Sequence, residues 1–424
     1  RFLLASDLGQ SGWRVGVLYG VNTAGAALGA FLSDFLLVPA LGLQQTQLLA
    51  VAFNLVAAVA AMRLVGLAAR GGAEEAPEEE AVADAPGARP RWLVGNTALA
   101  IGLSGFAAMG IEILWFRHLS VALGGLRSVF SLLLTVMLLG MWAGSLAGGA
   151  LHRRYGRAPQ FYMLSQAGMV ASALLLLAIV PTATPPDALR DAIMESSGLQ
   201  RVAMQSLHNL KKIALVVAPP ALLMGFAFPL ANAHVQRVGS SIGRRAGALY
   251  LANTVGAVAG SLAAGLWLIP TLGMQQTATV LALVAAAAIL PLLATLPGGG
   301  ARADRILAAG CGALSVGAVA LWVQLPWDHL LRHGIRSEHT LLALSEGPNE
   351  LVAVTEDPAD GSRRLLTNGY SMSSTAIDGQ RYMRAFTHLP LMQMDRPTDA
   401  LVICFGVGST LHSASLHPSL ERIE

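Results

Sequence analysis

The stretch R-A-G-A-L-Y-L-A-N-T-V-G-A-V-A-G-S-L-A-A-G-L-W-L-I-P-T-L-G-M-Q-Q-T, residues 245–277, decides the fold of this chain. It is an apolar run of helix length that closes on a Pro-x-x-Gly turn. A second copy, R-V-G-V-L-Y-G-V-N-T-A-G-A-A-L-G-A-F-L-S-D-F-L-L-V-P-A-L-G-L-Q-Q-T, fills residues 14–46 and agrees with it at about half of its positions. The wide separation of the copies excludes a solenoid and favours a membrane protein built from two related helical bundles.

Matched residues in the two copies predict how their helices pack. The pairs include Tyr19/Tyr250, Asn22/Asn253, Gly25/Gly256, Gly29/Gly260 and Pro39/Pro270. A Gly-x-x-x-Gly spacing lets two helices approach closely in lipid, so we expect helix packing at both glycine pairs. The two asparagines are expected to hydrogen-bond to a neighbouring helix.

Composition supports a bilayer as the main partner. Only 12% of the residues are charged, whereas a soluble domain carries roughly a quarter. The net charge of +3 is small, and we expect no nucleic-acid partner. The two cysteines, Cys311 and Cys404, lie in separate apolar runs and predict no disulfide framework. No metal site is predicted, and the oligomeric state is left open.

A spanning helix needs about 20 apolar residues, and this criterion predicts nine spans. They are 15–38, 46–68, 93–115, 127–151, 160–181, 211–235, 246–269, 275–296 and 305–325. The predicted domains are the end of a first membrane repeat (1–68), a charged linker (69–92), a second repeat of six helices (93–300), an additional helix (301–325), a small β-domain (326–397) and the opening of a Rossmann-like domain (398–424). Because the first repeat contributes only two helices, about four more are expected before Arg1.

Two ionisable residues lie inside predicted spans, where a polar side chain suggests a functional site. Asp34 belongs to the first copy only, since its mate is Gly265. Glu112 lies near Trp115 and Arg117. Each is open to two interpretations: a proton or substrate site, or a structural role. For Glu112 the structural role is a salt bridge to a bundle arginine, with Trp115 in the interfacial aromatic belt.

After residue 326 the sequence has soluble character. Short strands are predicted in T-L-L-A-L-S-E-G, E-L-V-A-V-T-E-D and R-R-L-L-T-N-G-Y, and a helix at residues 381–394. An apolar strand at 400–404 then runs into Gly406-x-Gly408 and a further helix. This is the layout of a nucleotide-binding first turn, in which glycines let the backbone approach the ligand.

Two parts of the chain resemble known families. The basic turn G-G-A-L-H-R-R-Y-G-R, residues 148–157, is similar to the loop between helices two and three of major facilitator transporters. The C-terminal segment resembles spermidine synthases, most clearly in N-G-Y-S-M-S-S-T and R-Y-M-R-A-F-T-H-L-P-L. Taken whole, the chain resembles bacterial membrane proteins that fuse a major-facilitator-like bundle to a spermidine synthase-like domain, and by that resemblance it is truncated at both ends.

The resemblance implies a membrane-bound aminopropyltransferase or a related transferase that uses S-adenosylmethionine or its decarboxylated form. It implies that Gly406, Gly408 and Ser409 contact the nucleoside. Asp378, Tyr382 and Met372 would line the side of a small amine substrate. The catalytic residues of the family are expected beyond Glu424.

Departures from the spermidine synthases favour a different class of protein. The family has glutamine where Met372 stands, an acid where Gly379 stands and further glycines and an aspartate in the turn. Losing polar partners of a charged amine weakens a polyamine site. The alternative is a transporter or membrane scaffold whose C-terminal domain binds a ligand without catalysis.

Arginine distribution predicts the membrane orientation. The arginine-rich loops at 152–157 and 237–245 fall on one side if every span crosses, and the turns at 39–45 and 270–276 lie opposite. Positively charged loops are cytoplasmic. We therefore expect a multi-pass protein of the bacterial inner membrane with its C-terminal domain in the periplasm.

Overall fold

The computed structural model describes residues 11–70, 91–123, 127–182, 187–235, 242–296, 300–332 and 339–424. Most of the predicted linker, residues 71–90, lies outside them. The helices are α1 (Ser11–Leu32), α2 (Val38–Arg70), α3 (Arg91–Leu123), α4 (Arg127–Tyr155), α5 (Ala158–Ile179), α6 (Asp187–Glu195), α7 (Gly198–Gly225), α8 (Ala227–Val235), α9 (Ile242–Ala263), α10 (Ile269–Ala287), α11 (Ile289–Ala294), α12 (Arg302–Val323), α13 (His329–Arg332), α14 (Ile377–Leu391) and α15 (Ser409–Ser415). The strands are β1 (Thr340–Glu346), β2 (Leu351–Glu356), β3 (Arg363–Thr367), β4 (Tyr370–Ser374), β5 (Asp399–Ala400) and β6 (Arg422–Ile423).

Within the described residues, seven helical runs are long and apolar enough to cross a membrane, which is compatible with a multi-pass membrane protein. They are Val17–Leu64, Trp92–Leu123, Arg127–Tyr155, Ala158–Ile179, Gln200–Val235, Arg244–Ala294 and Arg302–Val323. The first and sixth runs contain 48 and 51 residues, far more than the roughly 20 that one crossing needs. Each of these two runs therefore covers two of the nine predicted spans.

The two sequence copies share their local backbone. Each copy contains a five-residue π-helical turn, Ser33–Leu37 in the first and Ala264–Leu268 in the second. Each is followed by a glycine in a non-helical conformation, Gly42 with φ 78° and ψ 170° and Gly273 with φ 78° and ψ 168°. Both glycines adopt a positive φ that a side chain disfavours. The two copies therefore bend at equivalent points.

At Gly273 the chain reverses direction. Before the bend, Gly256 and Gly260 of α9 lie on the backbone of Gly102 and Phe106 in α3, so the two helices run parallel. Beyond it, Leu281 of α10 meets Gly110 of α3, and α11 lies in one core cluster with Ala100 and Ile101 nearer the beginning of α3. The predicted turn at 270–276 thus separates two antiparallel helices.

Small residues bring the helices of the second copy together. A Cβ added to Gly256 or Gly260 would overlap a carbonyl of α3. Glycines of α4 serve the same purpose against α7, since a Cβ on Gly144 would overlap the carbonyl of Leu222. The first copy differs from the prediction, because nothing lies within 4 Å of a Cβ added at Gly25 or Gly29.

The sixth predicted span is divided into α7 and α8. Pro219 and Pro220 lie within α7, and the break follows them at Phe226. Pro229 of α8 accounts for the position of the break, because proline has no N–H to donate to the carbonyl four residues before it, here that of Gly225. The short helix α6, which precedes this span, was not predicted.

The predicted small β-domain contains a four-stranded antiparallel meander in the order β1-β2-β3-β4. Strand β2 alternates buried and half-buried residues, with Leu351 and Ala353 facing the core. Asn368 and Gly369 form the tight turn between β3 and β4, both at positive φ, and so add a fourth strand to the three predicted. Asn-Gly is the strongest short hairpin signal.

The C-terminal residues form a small β–α–β unit. Strands β5 and β6 pair in parallel, and α15 lies between them in the chain. The predicted strand at 400–404 is shorter than expected: its ladder covers Asp399–Ala400. One further bond joins the Val402 N–H to the Glu424 carbonyl at 2.6 Å.

Candidate functional site

The glycine turn that follows β5 contains three residues with positive φ. Gly406 and Gly408 adopt φ values of 57° and 79°, in the left-handed region where a side chain is strained. Cys404 shares this conformation at φ 74°. The Gly408 N–H donates to the Phe405 carbonyl at 2.9 Å and closes the turn. Ser409 then begins α15.

This turn lies against β4 and α14, the two elements that carry the other predicted site residues. A Cβ added to Gly406 would lie 3.6 Å from Ser373 Oγ and 3.9 Å from the Met383 methyl group. Two hydrogen bonds fasten α15 to α14: Thr387 Oγ1 donates to the Thr410 carbonyl at 3.0 Å, and Thr410 Oγ1 to the Met383 carbonyl at 3.3 Å. Residues distant in sequence therefore meet at the glycine turn.

The predicted amine-side residues are sequence neighbours of these contacts. Met372 precedes Ser373, and Tyr382 precedes Met383. Asp378 is one helical turn before Tyr382, so the two lie on one face of α14. The Tyr382 ring packs edge-on against Phe386 at a centroid distance of 4.7 Å. Met372 and Tyr382 are each 62% exposed, which leaves both available for a ligand.

Ser373 is a polar residue at this turn that sequence reasoning missed. Its hydroxyl is buried, and within the described chain Oγ has no hydrogen-bond partner. An unpaired buried hydroxyl is costly and uncommon in proteins. The only sequence signal is its place in the Met-Ser-Ser segment of β4, which does not separate it from the exposed serines nearby.

Gly379 has a structural reason to lack a side chain. A Cβ there would lie 3.0 Å from Ser374 Cβ and 3.1 Å from the Ser374 carbonyl oxygen. An acid at this position, as the spermidine synthases have, would require β4 or α14 to shift.

A second polar cluster joins the β-sheet to the helical bundle. Glu346 at the end of β1 accepts a hydrogen bond from the Met274 N–H at 2.9 Å, directly after the reversal at Gly273. Arg117 of α3 donates from Nη1 to the Pro348 carbonyl at 2.9 Å and from Nη2 to that of Gly347. The Met274 N–H and the carbonyls of Gly347 and Pro348 thus find hydrogen-bond partners across the junction between the sheet and the bundle.

Burial at this junction changes the titration of Glu346. Desolvation raises the pKa of its carboxyl above the ordinary value, while the Met274 N–H and the Arg117 charge act in the opposite direction. The β3–β4 turn also packs closely against the end of α3, because a Cβ on Gly369 would overlap the Val121 carbonyl. The β-sheet is consequently fixed to one end of the bundle.

That end is opposite the arginine-rich loop at 152–157, whereas most of the second such loop, residues 236–241, lies outside the described residues. Gln160, which follows the loop at 152–157, donates to Asp304 at the beginning of α12 at 3.0 Å. At the other end of α12, Trp322 Nε1 donates to the Gln275 carbonyl at 3.1 Å, beside the Gly273 turn. Helix α12 therefore crosses the whole bundle, and the β-sheet lies at the end it reaches.

The charge asymmetry between the ends is smaller than the sequence argument assumed. Arg127 lies at the β-sheet end, where it pairs with Asp34. Lys212 is also there and donates to the Pro181 carbonyl that follows α5. Asp34 thus has a structural partner near one end of its helix, and does not lie at the middle of the bundle.

Glu112 differs from Asp34. None of the ion pairs among the described residues involves it, so the predicted salt bridge to an arginine is not formed. Arg117 is instead bound to the β1–β2 turn. Trp115 is fully buried in the core and does not form part of an interfacial belt.

Glu112 lines one of two adjoining cavities in the bundle. The larger, of about 350 Å³, is lined by three pairs of repeat mates: Tyr19/Tyr250, Asn22/Asn253 and Thr23/Thr254. The smaller, of about 190 Å³, is lined by Glu112 and shares Tyr19 and Asn253 with the first. Asn22 and Asn253 therefore face a cavity between the copies, where the sequence predicted hydrogen bonds to a neighbouring helix.

Among the residues that the structure describes, no group of three or more His, Cys, Asp or Glu side chains is placed to hold a metal ion. The chain was also compared with known proteins. No protein-family model, no curated protein and no solved structure matches it.

Proposed function

We propose that this chain is the membrane-embedded part of a spermidine synthase-like transferase, and that its C-terminal module binds an S-adenosyl-type nucleoside at the Gly406–Ser409 turn. The observation that carries this proposal is the buried, unpaired hydroxyl of Ser373 beside a turn with two positive-φ glycines. A nucleoside hydroxyl or amino group at the turn would supply the missing partner.

The module's own residues would bind and orient such a ligand. The two glycines leave the backbone of the turn open to close approach, as nucleotide-binding turns do. Met372 and Tyr382, which adjoin Ser373 and Met383 in sequence, offer exposed apolar and aromatic surface. When bound, the nucleoside would supply the activated carbon for group transfer. Asp378, on the face of Tyr382, would attract a cationic amine.

Gly379 and Met372 favour the second candidate, a membrane protein whose C-terminal module binds a ligand without catalysis. Because Gly379 lies close to Ser374, an acid at this position would require β4 or α14 to shift. Binding and catalysis therefore need separate tests.

Calorimetry on the full-length protein with S-adenosylmethionine and its decarboxylated form tests nucleoside binding. Gly406→Ala should weaken binding at least tenfold, because the added methyl group occupies the approach to the turn and strains a positive φ. Gly361→Ala is the matched control: it has φ 66° with nothing within 4 Å of an added Cβ. Its affinity should equal that of the unmodified protein.

Three results are informative. Equal affinity of Gly406→Ala and Gly361→Ala would show that the ligand does not bind at the Gly406–Ser409 turn. Absence of binding by the unmodified protein would contradict the proposal, and the chain would then be interpreted as a membrane scaffold. Binding without aminopropyl transfer to any amine would support the second candidate.

We also propose an inner-membrane location with the β-sheet end in the periplasm, on the grounds that the arginine-rich loop at 152–157 lies at the other end. An Ala359→Cys variant tests it, since Ala359 lies in the exposed β2–β3 turn whereas the neighbouring Ser362 is buried. The exposed Cys404 is first changed to serine. A membrane-impermeant thiol reagent should label cells whose outer membrane alone is permeabilised. Labelling only after the inner membrane is broken would reverse the orientation.

A further inference from the structure

The smaller cavity of the bundle has the chemistry of a cation site. Helices from both copies and from the rest of the bundle form its wall. Its polar lining consists of Glu112, Gln166, Ser104, Asn253 and Tyr19. Among the described lining residues there is no lysine, arginine or histidine. Within the described part of the chain, no cationic side chain therefore faces Glu112 in this cavity.

The cavity is lined by a half-buried carboxyl, Glu112, and by a buried amide oxygen without a donor in the described chain, Gln166 Oε1. Glu112 is in no ion pair of the described chain, and Gln166, which is 1% exposed, has no hydrogen-bond partner for its Oε1 atom. A charged group inside a bundle is costly unless it is paired, and an unpaired amide oxygen adds to that cost. A single ligand with a positive charge and several N–H groups would satisfy both.

The rest of the wall is apolar and adaptable. It is formed largely by thioether and aromatic side chains: Met109, Met137, Met141, Met169, Met224 and Phe228. Unbranched methionine side chains adjust to the shape of an alkyl group, and aromatic faces attract an ammonium. Hard metal ions such as Ca²⁺ instead take about six to eight oxygen ligands. This lining offers one carboxylate, two amides and two hydroxyls, and the Ser104 hydroxyl is already bonded to the Ala100 carbonyl and to Tyr162.

From this arrangement we infer that the cavity beside Glu112 binds a small alkylammonium ion, with the ammonium between Glu112 and Gln166 and the alkyl group among the methionines. The volume of about 190 Å³ has room for several water molecules, and so for a ligand of only a few heavy atoms. The site lies inside the bundle and is independent of the nucleoside site proposed at the C-terminal module.

The test uses the purified full-length protein in detergent and n-butylammonium chloride as the probe, with affinity measured by calorimetry. 1-Butanol, of nearly the same shape but uncharged, is the ligand control. Butylammonium should bind at least tenfold more tightly than butanol, because only the cation forms charge-assisted hydrogen bonds. Glu112→Gln keeps the shape of the side chain and should abolish this preference.

Matched variants separate binding from folding. Glu195→Gln makes the same chemical change at an exposed position on α6 and should bind butylammonium as the unmodified protein does. Gln166→Leu removes the second acceptor and should weaken binding roughly threefold to tenfold. Because Glu112→Gln removes a buried charge, its thermal unfolding temperature without ligand should equal or exceed that of the unmodified protein.

Several outcomes would overturn the inference. Equal affinity for butylammonium and butanol would show that the cavity is only apolar. Undiminished butylammonium binding by Glu112→Gln would place the cation elsewhere. Binding of K⁺ as tight as that of butylammonium would exclude an organic cation as the preferred ligand, and tight binding of Ag⁺ alone would assign the methionines to a soft metal.

Discussion

The two sequence copies have the same local backbone but different surroundings. In the second, residues 245–277, α9 lies against α3, and the Gly273 turn is capped by Glu346 of the β-sheet. In the first, residues 14–46, the glycines Gly25 and Gly29 have no neighbours within 4 Å of an added Cβ. Helix α2 beyond Gly42 exposes large apolar residues such as Phe53 and Leu55.

This difference separates the local role of the repeated residues from their packing role. The bend at Gly42 forms without a contact such as the one that Glu346 makes at Gly273, whereas the π-helical turn before it has its own contact, the Asp34–Arg127 ion pair. The close approach of glycine to a carbonyl needs a partner helix. The contrast between the copies can therefore be tested one residue at a time.

The largest expected effect is at the helix interface of the second copy. Gly256→Ala should lower the free energy of unfolding by about 3 kcal/mol, because the methyl group overlaps the Gly102 carbonyl and forces α9 away from α3. Gly25→Ala, its repeat mate, should change it by about 0.5 kcal/mol or less. Denaturant unfolding in detergent measures both. An equal loss for Gly25→Ala would show that the first copy is packed as tightly as the second.

A smaller effect is expected at the cap of the Gly273 turn. Glu346→Ala should cost about 2 kcal/mol, since the Met274 N–H loses its acceptor and Arg117 a nearby countercharge. Glu346→Gln keeps an acceptor and should cost less. Unfolding free energies that are the same for the alanine and glutamine variants would mean that the hydrogen bond contributes nothing.

The same residue predicts a pH dependence. The pKa of Glu346 is raised in the folded state, so the folded protein binds more protons than the unfolded chain between the ordinary value and the raised value. The contribution of Glu346 to stability is then complete below the ordinary pKa and is lost as pH rises through the raised pKa. Comparing unfolding free energies across pH for the unmodified protein and Glu346→Gln isolates it. If the free energy of unfolding of Glu346→Gln instead rose relative to that of the unmodified protein as pH falls, the predicted direction of the pH dependence would be wrong.

The smallest effect is expected at the acid that belongs to the first copy alone. Asp34→Asn should lower the unfolding free energy by about 1 kcal/mol or less, because its partner Arg127 is largely exposed and solvent screens the pair. Arg127→Gln should have a similar effect, and the double variant should cost no more than either single change. A loss near that of Gly256→Ala would assign Asp34 a larger role than this ion pair.

Sequence alone was sufficient for features set by local composition and backbone preference. Apolar runs of about 20 residues predicted the helices, and the Pro-x-x-Gly sequences predicted the reversal seen at Gly273. Turn residues and alternating apolar positions predicted the first three strands of the sheet. The positive φ of Gly406 and Gly408 also follows from sequence, because glycine is the residue that adopts this conformation without strain.

Only the tertiary structure decided which partners these residues meet. Matched glycines are packed at Gly256 and open at Gly25, because a close approach depends on a second helix. Ser373 is a candidate binding residue because its buried hydroxyl has no partner in the described chain. Glu112 is a candidate binding residue because it lines a cavity whose described lining contains no cationic side chain. A sequence lists donors, acceptors and charges, but whether each is satisfied depends on distances between residues far apart in the chain.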